Sequence, residues 1–480
     1  MQKKFVTNLA LLLFMNLLIK PIYILGIDRA VQNEVGAANY GVYFAIFNFC
    51  FILTIILDFG ITNFNNKNIA QNNHLLTKHF SSLVSLKLIL AIIYILVVVI
   101  TGLLIGYDTR LMKLLLIQGF NMFLVFFILY LRSNLAGLHL FKTDSIVSVF
   151  DRVILIILCV FMLKAGIFKG ENGIMYFVYA QTFSYFITAI IIFLIILSKT
   201  HTFKLGWNWP FSLMILKKSL PFAILILLMS FSRIDTVVIE RMLPAGVGDV
   251  QSGIYAQAFR LLDATNMIAF LTAGMLLPIF SRMIKYRESV EPLVKLICRL
   301  LLTPAIVIGI GCIFYNKELM SMLYVEHIEE SSKIFSLLMF SFIGVSINYI
   351  FGTLLTANGN MKQLNYMYSL IMVLYFVSDY ILIKKYEACG AAMTCMAREL
   401  ITAILQIIIA QRVFHFKVNY RLINTFIMFA IGVVAINYGS KMLHFNWIIN
   451  FVFMVGASGL WAFITGIINI KSIFRLLKYG

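Results

Sequence analysis

Lys20, Lys87, Arg233, Arg260 and Arg398 fall inside stretches of the sequence that are otherwise apolar enough to cross a membrane. So do the carboxylates Asp58, Asp235, Asp263, Asp379 and Glu399. A charge at mid-bilayer costs at least about 2.5 kcal/mol on insertion scales, so several of them require a wet cavity or tight pairing. Guanidinium groups offer planar, paired donors to phosphate oxygens, and a lysine supplies a mobile point charge. Lys20, Arg233, Arg260 and Arg398 are therefore candidates for binding a phosphate or carboxylate on a substrate. Asp58, Asp235, Asp263, Asp379 and Glu399 are candidates either for counter-charging these cations or for carrying a coupling H+ or Na+. Arg260 and Asp263 are three apart on one helix and can pair locally. Arg233 and Asp235, two apart, and the adjacent Arg398 and Glu399 should point in different directions and need partners elsewhere.

The elements that must hold these residues follow from composition. Of 480 residues, 61% are hydrophobic and 12% charged, against roughly 45–50% and about 25% in soluble domains. That excludes a soluble protein and any soluble catalytic domain. The 39 Lys and Arg outnumber the 20 Asp and Glu, a net charge of +19, yet they are scattered singly among apolar runs, which marks topology signals rather than a nucleic-acid surface. Met1-Gln2-Lys3-Lys4 and the run after it resemble a secretory leader, but no small-residue cleavage site precedes Asp28, so the run reads as a retained first span. Cys50, Cys159, Cys298, Cys312, Cys389 and Cys395 are too dispersed for a disulfide framework or a metal site.

Hydropathy predicts an all-α, polytopic membrane protein of about fourteen helices. The spans fall near 5–27, 40–62, 82–106, 112–131, 147–167 and 173–197, then 219–241, 252–279, 294–315, 334–356, 364–383, 390–411, 422–438 and 446–468. They group as an N-terminal lobe (1–212, spans 1 to 6), a C-terminal lobe (213–415, spans 7 to 12) and a final pair (416–480). Lys and Arg counted in alternate loops give 23 on the N-terminal side against 11 opposite, or 21 against 11 without Arg152 and Arg299, which sit about a turn inside their spans. Both termini are thus expected in the cytoplasm. In that frame Lys20, Arg233, Arg260 and Arg398 each lie about 7 to 8 residues, on the order of 11 Å, from the outer ends of spans 1, 7, 8 and 12. Asp58 and Lys87 instead share a depth near the cytoplasmic ends of spans 2 and 3, where they suit an ion pair, a gate or a coupling-ion site. Pro21 and Pro304 interrupt helical hydrogen bonding and predict kinks.

A faint internal repeat accompanies the cations. Gly41-Val42-Tyr43-Phe44-Ala45-Ile46-Phe47 and Gly253-Ile254-Tyr255-Ala256-Gln257-Ala258-Phe259 match in Gly, Tyr and Phe at an offset of 212. The same offset brings Lys20 to within one residue of Arg233. Six intervening spans give the two copies one orientation, the parallel repeat of two-lobed transporters with a parallel pseudo-two-fold axis.

Lys20-Pro21-Ile22-Tyr23-Ile24-Leu25, Asp28-Arg29, Gln32-Asn33, Asn39-Tyr40-Gly41 and Leu57-Asp58-Phe59-Gly60-Ile61 resemble the N-terminal region of bacterial polysaccharide biosynthesis proteins. These are the O-antigen (lipid-linked oligosaccharide) flippases of the multidrug, oligosaccharidyl-lipid and polysaccharide exporter superfamily. Arg233-Ile234-Asp235 and Gly253-Ile254-Tyr255 look like the matching place in the second half. The resemblance implies two six-helix lobes around a central cavity, two peripheral C-terminal helices, and an inner-membrane flippase serving lipopolysaccharide synthesis. Such a flippase moves undecaprenyl-diphosphate-linked oligosaccharide to the periplasmic leaflet by alternating access. It makes or breaks no bond, so it is not an enzyme, and it needs no cofactor beyond a coupling H+ or Na+. Its implied partners are the lipid-linked oligosaccharide, the membrane, and a polysaccharide polymerase with its chain-length machinery; nucleic acid is not among them. A multidrug or cation antiporter of the same superfamily would favour an acidic cavity, against the four cations. An integral-membrane polysaccharide polymerase or glycosyltransferase would carry a long loop or soluble region, and no connection here exceeds about 20 residues. A lipid-linked peptidoglycan-precursor flippase remains a further alternative.

Overall fold

The computed structural model describes residues 14–62, 65, 75–138, 140–170, 172–200, 206, 208–244, 246–417 and 419–467. In hydrocarbon each backbone N–H and C=O must be satisfied within the chain, so apolar runs of this length become helices. The described residues are helical throughout, with turns between and no strands. In chain order the helices are α1 (Phe14–Ile52), a single turn Ile55–Asp58, α2 (Leu75–Ile105), α3 (Thr109–Gly137), α4 (Phe141–Lys164), α5 (Gly173–Leu197), α6 (Trp209–Ser230), α7 (Asp235–Met242) and α8 (Val247–Lys285). Then follow α9 (Glu291–Phe314), α10 (Asn316–Leu323), α11 (Ile328–Ala357), α12 (Met361–Phe414), α13 (Tyr420–Met442) and α14 (Trp447–Ile464). The protein is an all-helical, multi-pass membrane protein.

Among the described residues, 10 helices are long and apolar enough to cross a membrane. They differ from the expected fourteen spans in three places. Expected spans 1 and 2 run together as α1, broken at Gly36, whose φ of 80° and ψ of 162° leave the helical region. Expected spans 11 and 12 run together as the 54 residues of α12, broken at Glu387 (φ 52°, ψ −135°). This second break is a hairpin. Gln406 Nε2 donates to the Tyr368 hydroxyl at 3.0 Å, the Thr394 hydroxyl donates to Asp379, and Arg398 lies over the Tyr375 ring, so partners pair off on either side of Glu387. Expected span 7 is cut by a 3-10 turn, Phe231–Arg233, between α6 and α7, and expected span 8 lies within α8.

The prolines act differently from one another. Pro21 is followed by a π-helical stretch, Ile22–Asp28, so the disturbance expected there takes the form of a widened helix. Pro304 lies inside α9, which stays helical on both sides of it.

The chain divides into two compact units, Met1–Gly253 and Ile254–Gly480. In the first, α2, α3 and α5 close around Leu83, Tyr130, Leu131, Ile192 and Ile196. In the second, α9 packs on α13 and α14 through Ile306, Val307, Ile310, Phe429, Val433 and Met454. Lys441 pairs with Glu318 and lies over Tyr315, whose hydroxyl meets Ser440 Oγ at 2.7 Å. All six cysteines are free. Large apolar side chains face outward, as in Leu104 (81% exposed) on α2 and Ile464 (75%) on α14, the pattern of a lipid-contacting surface.

Within the first unit, the glycines that open the two repeat copies touch. A β-carbon on Gly41 would reach the Asp249 carbonyl oxygen and lie 2.6 Å from the Gly253 nitrogen; one on Gly253 would lie 2.6 Å from the Ala37 carbonyl carbon. The Ser252 hydroxyl donates to the Gly41 carbonyl and Gln32 Nε2 to the Gly253 carbonyl, each at 3.1 Å. Because the obstacles are backbone atoms, they cannot rotate away. Gly41→Ala and Gly253→Ala should each destabilise the protein by about 1–3 kcal/mol, read as a lower Tm in detergent. Gly439→Ala, which would meet nothing within 4 Å, serves as the control that leaves Tm unchanged or slightly higher.

Candidate functional site

Lys20 lies on α1 just before the π-helical stretch, where α1 runs beside α4 and Asn16 Nδ2 donates to Ser148 Oγ at 2.9 Å. The side chain is half-buried. It makes no hydrogen bond or ion pair with any described residue, and the charges within its electrostatic reach are Arg152, Asp151 and Arg132. Arg152 extends from the middle of α4 into a frame of aromatic rings. Its Nη1 donates to the Tyr185 hydroxyl at 2.8 Å, and its guanidinium carbon lies 4.9 Å from the Tyr23 ring centroid and 5.4 Å from that of Tyr185. Arg132 on α3 holds Asp144 of α4 through two bonds, Nε to Oδ1 at 2.8 Å and Nη2 to Oδ2 at 3.4 Å.

Asp58 and Lys87 meet. Lys87 Nζ lies 2.5 Å from Asp58 Oδ1 and donates to the Leu57 carbonyl at 2.9 Å, with the two side chains 3% and 12% exposed for Lys87 and Asp58. The Thr62 hydroxyl also donates to Asp58. The lysine and the threonine hydroxyl meet the same oxygen, Asp58 Oδ1. Arg233 is the last residue of the 3-10 turn, its guanidinium 5.0 Å from the Phe51 ring centroid. Asp235 is buried in the first turn of α7, where the helix dipole favours a carboxylate. The next residue, Thr236, accepts a hydrogen bond from Asn48 of α1 at 2.9 Å.

In the second unit Arg260 is buried on α8, and Asp263 is half-buried one turn further on. Arg398 and Glu399 do not diverge as their adjacency suggests. Arg398 Nη2 lies 3.0 Å from Glu399 Oε1, and Nε donates to the same oxygen at 3.1 Å. Both side chains are long enough to curl back across the helix surface. Asn348 of α11 donates to the other Glu399 oxygen at 2.8 Å, and the Arg398 guanidinium lies 4.4 Å from the Tyr375 ring centroid. Asp379, fully buried, accepts from Thr394 across the α12 hairpin. Among the described residues no group of three or more His, Cys, Asp or Glu side chains is placed to hold a metal ion.

Sequence reasoning counted Arg152 as a topology signal and so missed it. Its depth, about a turn inside the drawn span, is the signal that could have found it. Also missed is a cluster beside the α2–α3 turn, where Arg241 lies 3.9 Å from the Tyr107 ring centroid and 2.9 Å from Glu240. Burial, together with the charge of Glu240, pushes the Tyr107 phenol up to about 12. Burial likewise holds the Asp249 carboxyl above the usual range, against the pull of Arg241.

A family model described as polysaccharide biosynthesis protein matches residues 5–284 of the chain. The chain belongs to that family. Among solved structures, this polysaccharide biosynthesis protein is similar to the lipid II flippase MurJ in its inward closed conformation (TM-score 0.68, 15% identity, 98% of each chain covered). It is also similar to an inward-facing multidrug resistance MATE family transporter of the MOP superfamily (TM-score 0.65, 14% identity, 84% of this chain and 98% of that one). A third likeness is to a MOP superfamily transporter from Pyrococcus furiosus whose binding pocket is described as of reverse polarity (TM-score 0.58, 14% identity, 85% and 95% covered). No curated protein matches the chain in sequence. At these identities the structures establish the fold, which is that of MurJ and the MATE transporters.

Within that fold Asp58 and Lys87 of this polysaccharide biosynthesis protein form a buried ion pair. Removing one partner leaves the other buried and unpaired, which costs about 3–5 kcal/mol. Lys87→Met and Asp58→Leu should each depress Tm and membrane abundance, whereas the double variant should regain much of the loss. The check is a double-mutant cycle on detergent-solubilised protein; additive losses would show that the two charges are not coupled.

Proposed function

We propose that this protein is a flippase that moves an oligosaccharide linked to undecaprenyl diphosphate from the cytoplasmic to the periplasmic leaflet of a bacterial inner membrane. The observation that carries the reading is Lys20, a half-buried cation in an apolar helix with no hydrogen-bonding or ionic partner among the described residues. A charge left this way is stabilised when an anion arrives, and a diphosphate headgroup is the anion a lipid-linked sugar brings. Membership of the polysaccharide biosynthesis family and a fold shared with a lipid II flippase support the reading.

In this reading Lys20, Arg233, Arg260 and Arg398 attract the diphosphate or acidic sugars during alternating access, and the polyprenyl tail stays in lipid. The residues act by binding alone, with no bond made or broken. Uphill movement would draw on H+ or Na+ carried by a buried carboxylate, with Asp235 and Asp379 the best placed by burial. Both termini are cytoplasmic in this scheme, and a polymerase with its chain-length machinery receives the product. A cation exporter on the same fold would leave Lys20 a liability.

Cells depleted of the protein should accumulate complete lipid-linked repeat units that a periplasm-restricted label cannot reach. Arg233→Ala and Arg260→Ala should each reduce export at least tenfold at normal membrane abundance. Normal labelling in depleted cells would overturn the flippase reading, and full activity in both variants would remove these two cations from the site.

A further inference from the structure

The three cations near the start of the first unit differ in how far their charge is met. Arg132 is satisfied by the two oxygens of Asp144. Arg152 is not. Asp151 Oδ2 lies 3.7 Å from its Nε, beyond hydrogen-bond distance, and Oδ1 of the same carboxylate accepts the backbone N–H of Arg152 at 2.8 Å. Lys20 has no such partner among the described residues. Two cations therefore share one loosely placed carboxylate, within helices where a charge imbalance is costly.

The geometry around Arg152 favours a ligand rather than a structural tie. The guanidinium carbon lies over the Tyr23 and Tyr185 rings, and beyond Nη1, which the Tyr185 hydroxyl takes, its N–H donors have no acceptor within hydrogen-bond distance among the described residues. The Tyr185 bond to Nη1 fixes the group's orientation before anything binds. Arg152 lies over Tyr23, three residues past Lys20, and Asn16 and Ser148, four residues before Lys20 and Arg152, are bonded, so the two cations share a level on α1 and α4, a planar fork and an ammonium suited to tetrahedral phosphate oxygens.

We infer that Lys20 and Arg152 form a phosphate-binding subsite in the first unit, oriented by Tyr23 and Tyr185, and that it receives the diphosphate of the transported lipid. The identity of the occupant rests on the flippase reading; the existence of the subsite does not. Arg152 contacts the phosphate, and Tyr185 is a positioning residue acting through it.

The test is equilibrium binding of labelled inorganic diphosphate to the full chain in phosphatidylcholine nanodiscs. Arg152→Gln and Lys20→Gln should each weaken binding at least tenfold. Arg152→Lys, which keeps the charge and loses the fork, should weaken it several-fold, and Tyr185→Phe about threefold with an unchanged Tm. Lys164→Gln, at the exposed far end of α4, should bind as the parent does. Affinities of Arg152→Gln and Lys20→Gln within twofold of the parent would overturn the subsite. Diphosphate binding that disappears when phosphatidylglycerol is added to the nanodiscs would overturn the assigned occupant, since a bilayer headgroup would then hold the site. Selective loss of diphosphate in the variants, combined with normal leaflet distribution of lipid-linked glycan in depleted cells, would support the subsite and reject the flippase reading separately.

Discussion

The structure depends on how each buried charge is compensated where water is scarce. At an effective dielectric near 20, two opposite charges about 4 Å apart attract by roughly 4 kcal/mol, which is comparable to what removing them from water costs. The protein meets that balance in graded ways. Lys87 is fully committed to Asp58 and a backbone carbonyl, and Arg132 to both oxygens of Asp144. Arg398 shares Glu399 with Asn348 and leans on a ring. Arg152 relies mainly on rings and a hydroxyl, and Lys20 has no hydrogen-bond acceptor among the described residues, with Asp151 the carboxylate within its electrostatic reach. The first group fixes helices to one another. The last two are the least compensated of those named.

The backbone obeys the same scarcity of water. A break in a membrane helix frees peptide groups that need new partners, so breaks persist only where the surroundings supply them. The 3-10 turn ending at Arg233 and the π-helical stretch following Lys20 both fall beside a cation. The break at Gly36 is spanned by the Tyr40 hydroxyl, which donates to Asp28 at 2.7 Å. The Glu387 hairpin is spanned by Thr394 donating to Asp379. Side chains thus tie together the arms on either side of these breaks, Asn39 and Thr394 also donate to the Val35 and Ala391 carbonyls beside them, and a carboxylate such as Asp379 has a structural duty whatever else it does.

Much of this was readable from the chain alone, because lipid imposes a simple rule on composition. The apolar runs mark the helices, and the matching depths of Asp58 and Lys87 on neighbouring spans anticipate residues that do meet. The two repeat-opening glycines, noticed only for their spacing, turn out to touch. What escaped needs tertiary information. Arg152 draws its meaning from Tyr23 and Tyr185, which are remote in sequence and belong to different helices, so spacing on α4 says nothing about them. Arg398 and Glu399 were expected to diverge because helix geometry separates adjacent Cβ directions. Long side chains override that geometry when an amide such as Asn348 holds one carboxylate oxygen from a third helix. Loop counting absorbed Arg152 as a topology signal, since a positive charge near a span end serves two unrelated rules at once.

The uneven compensation also bears on how a transporter could let its cargo go. A cation with no counter-charge would bind a diphosphate tightly and release it slowly, whereas one fully paired would not bind it at all. Asp151, near enough to Arg152 to attract it and too far to hydrogen-bond, lies between these limits. As an anion leaves, the guanidinium has a carboxylate toward which to relax, so release need not strand a bare charge in the membrane. Tyr23 and Tyr185 oppose a large excursion, because the ring stacking is lost if the guanidinium swings away. Affinity in such a site would be set by the contest between the Asp151 carboxylate, whose Oδ1 holds a backbone N–H, and the incoming phosphate, with the aromatic frame limiting how far the guanidinium can move.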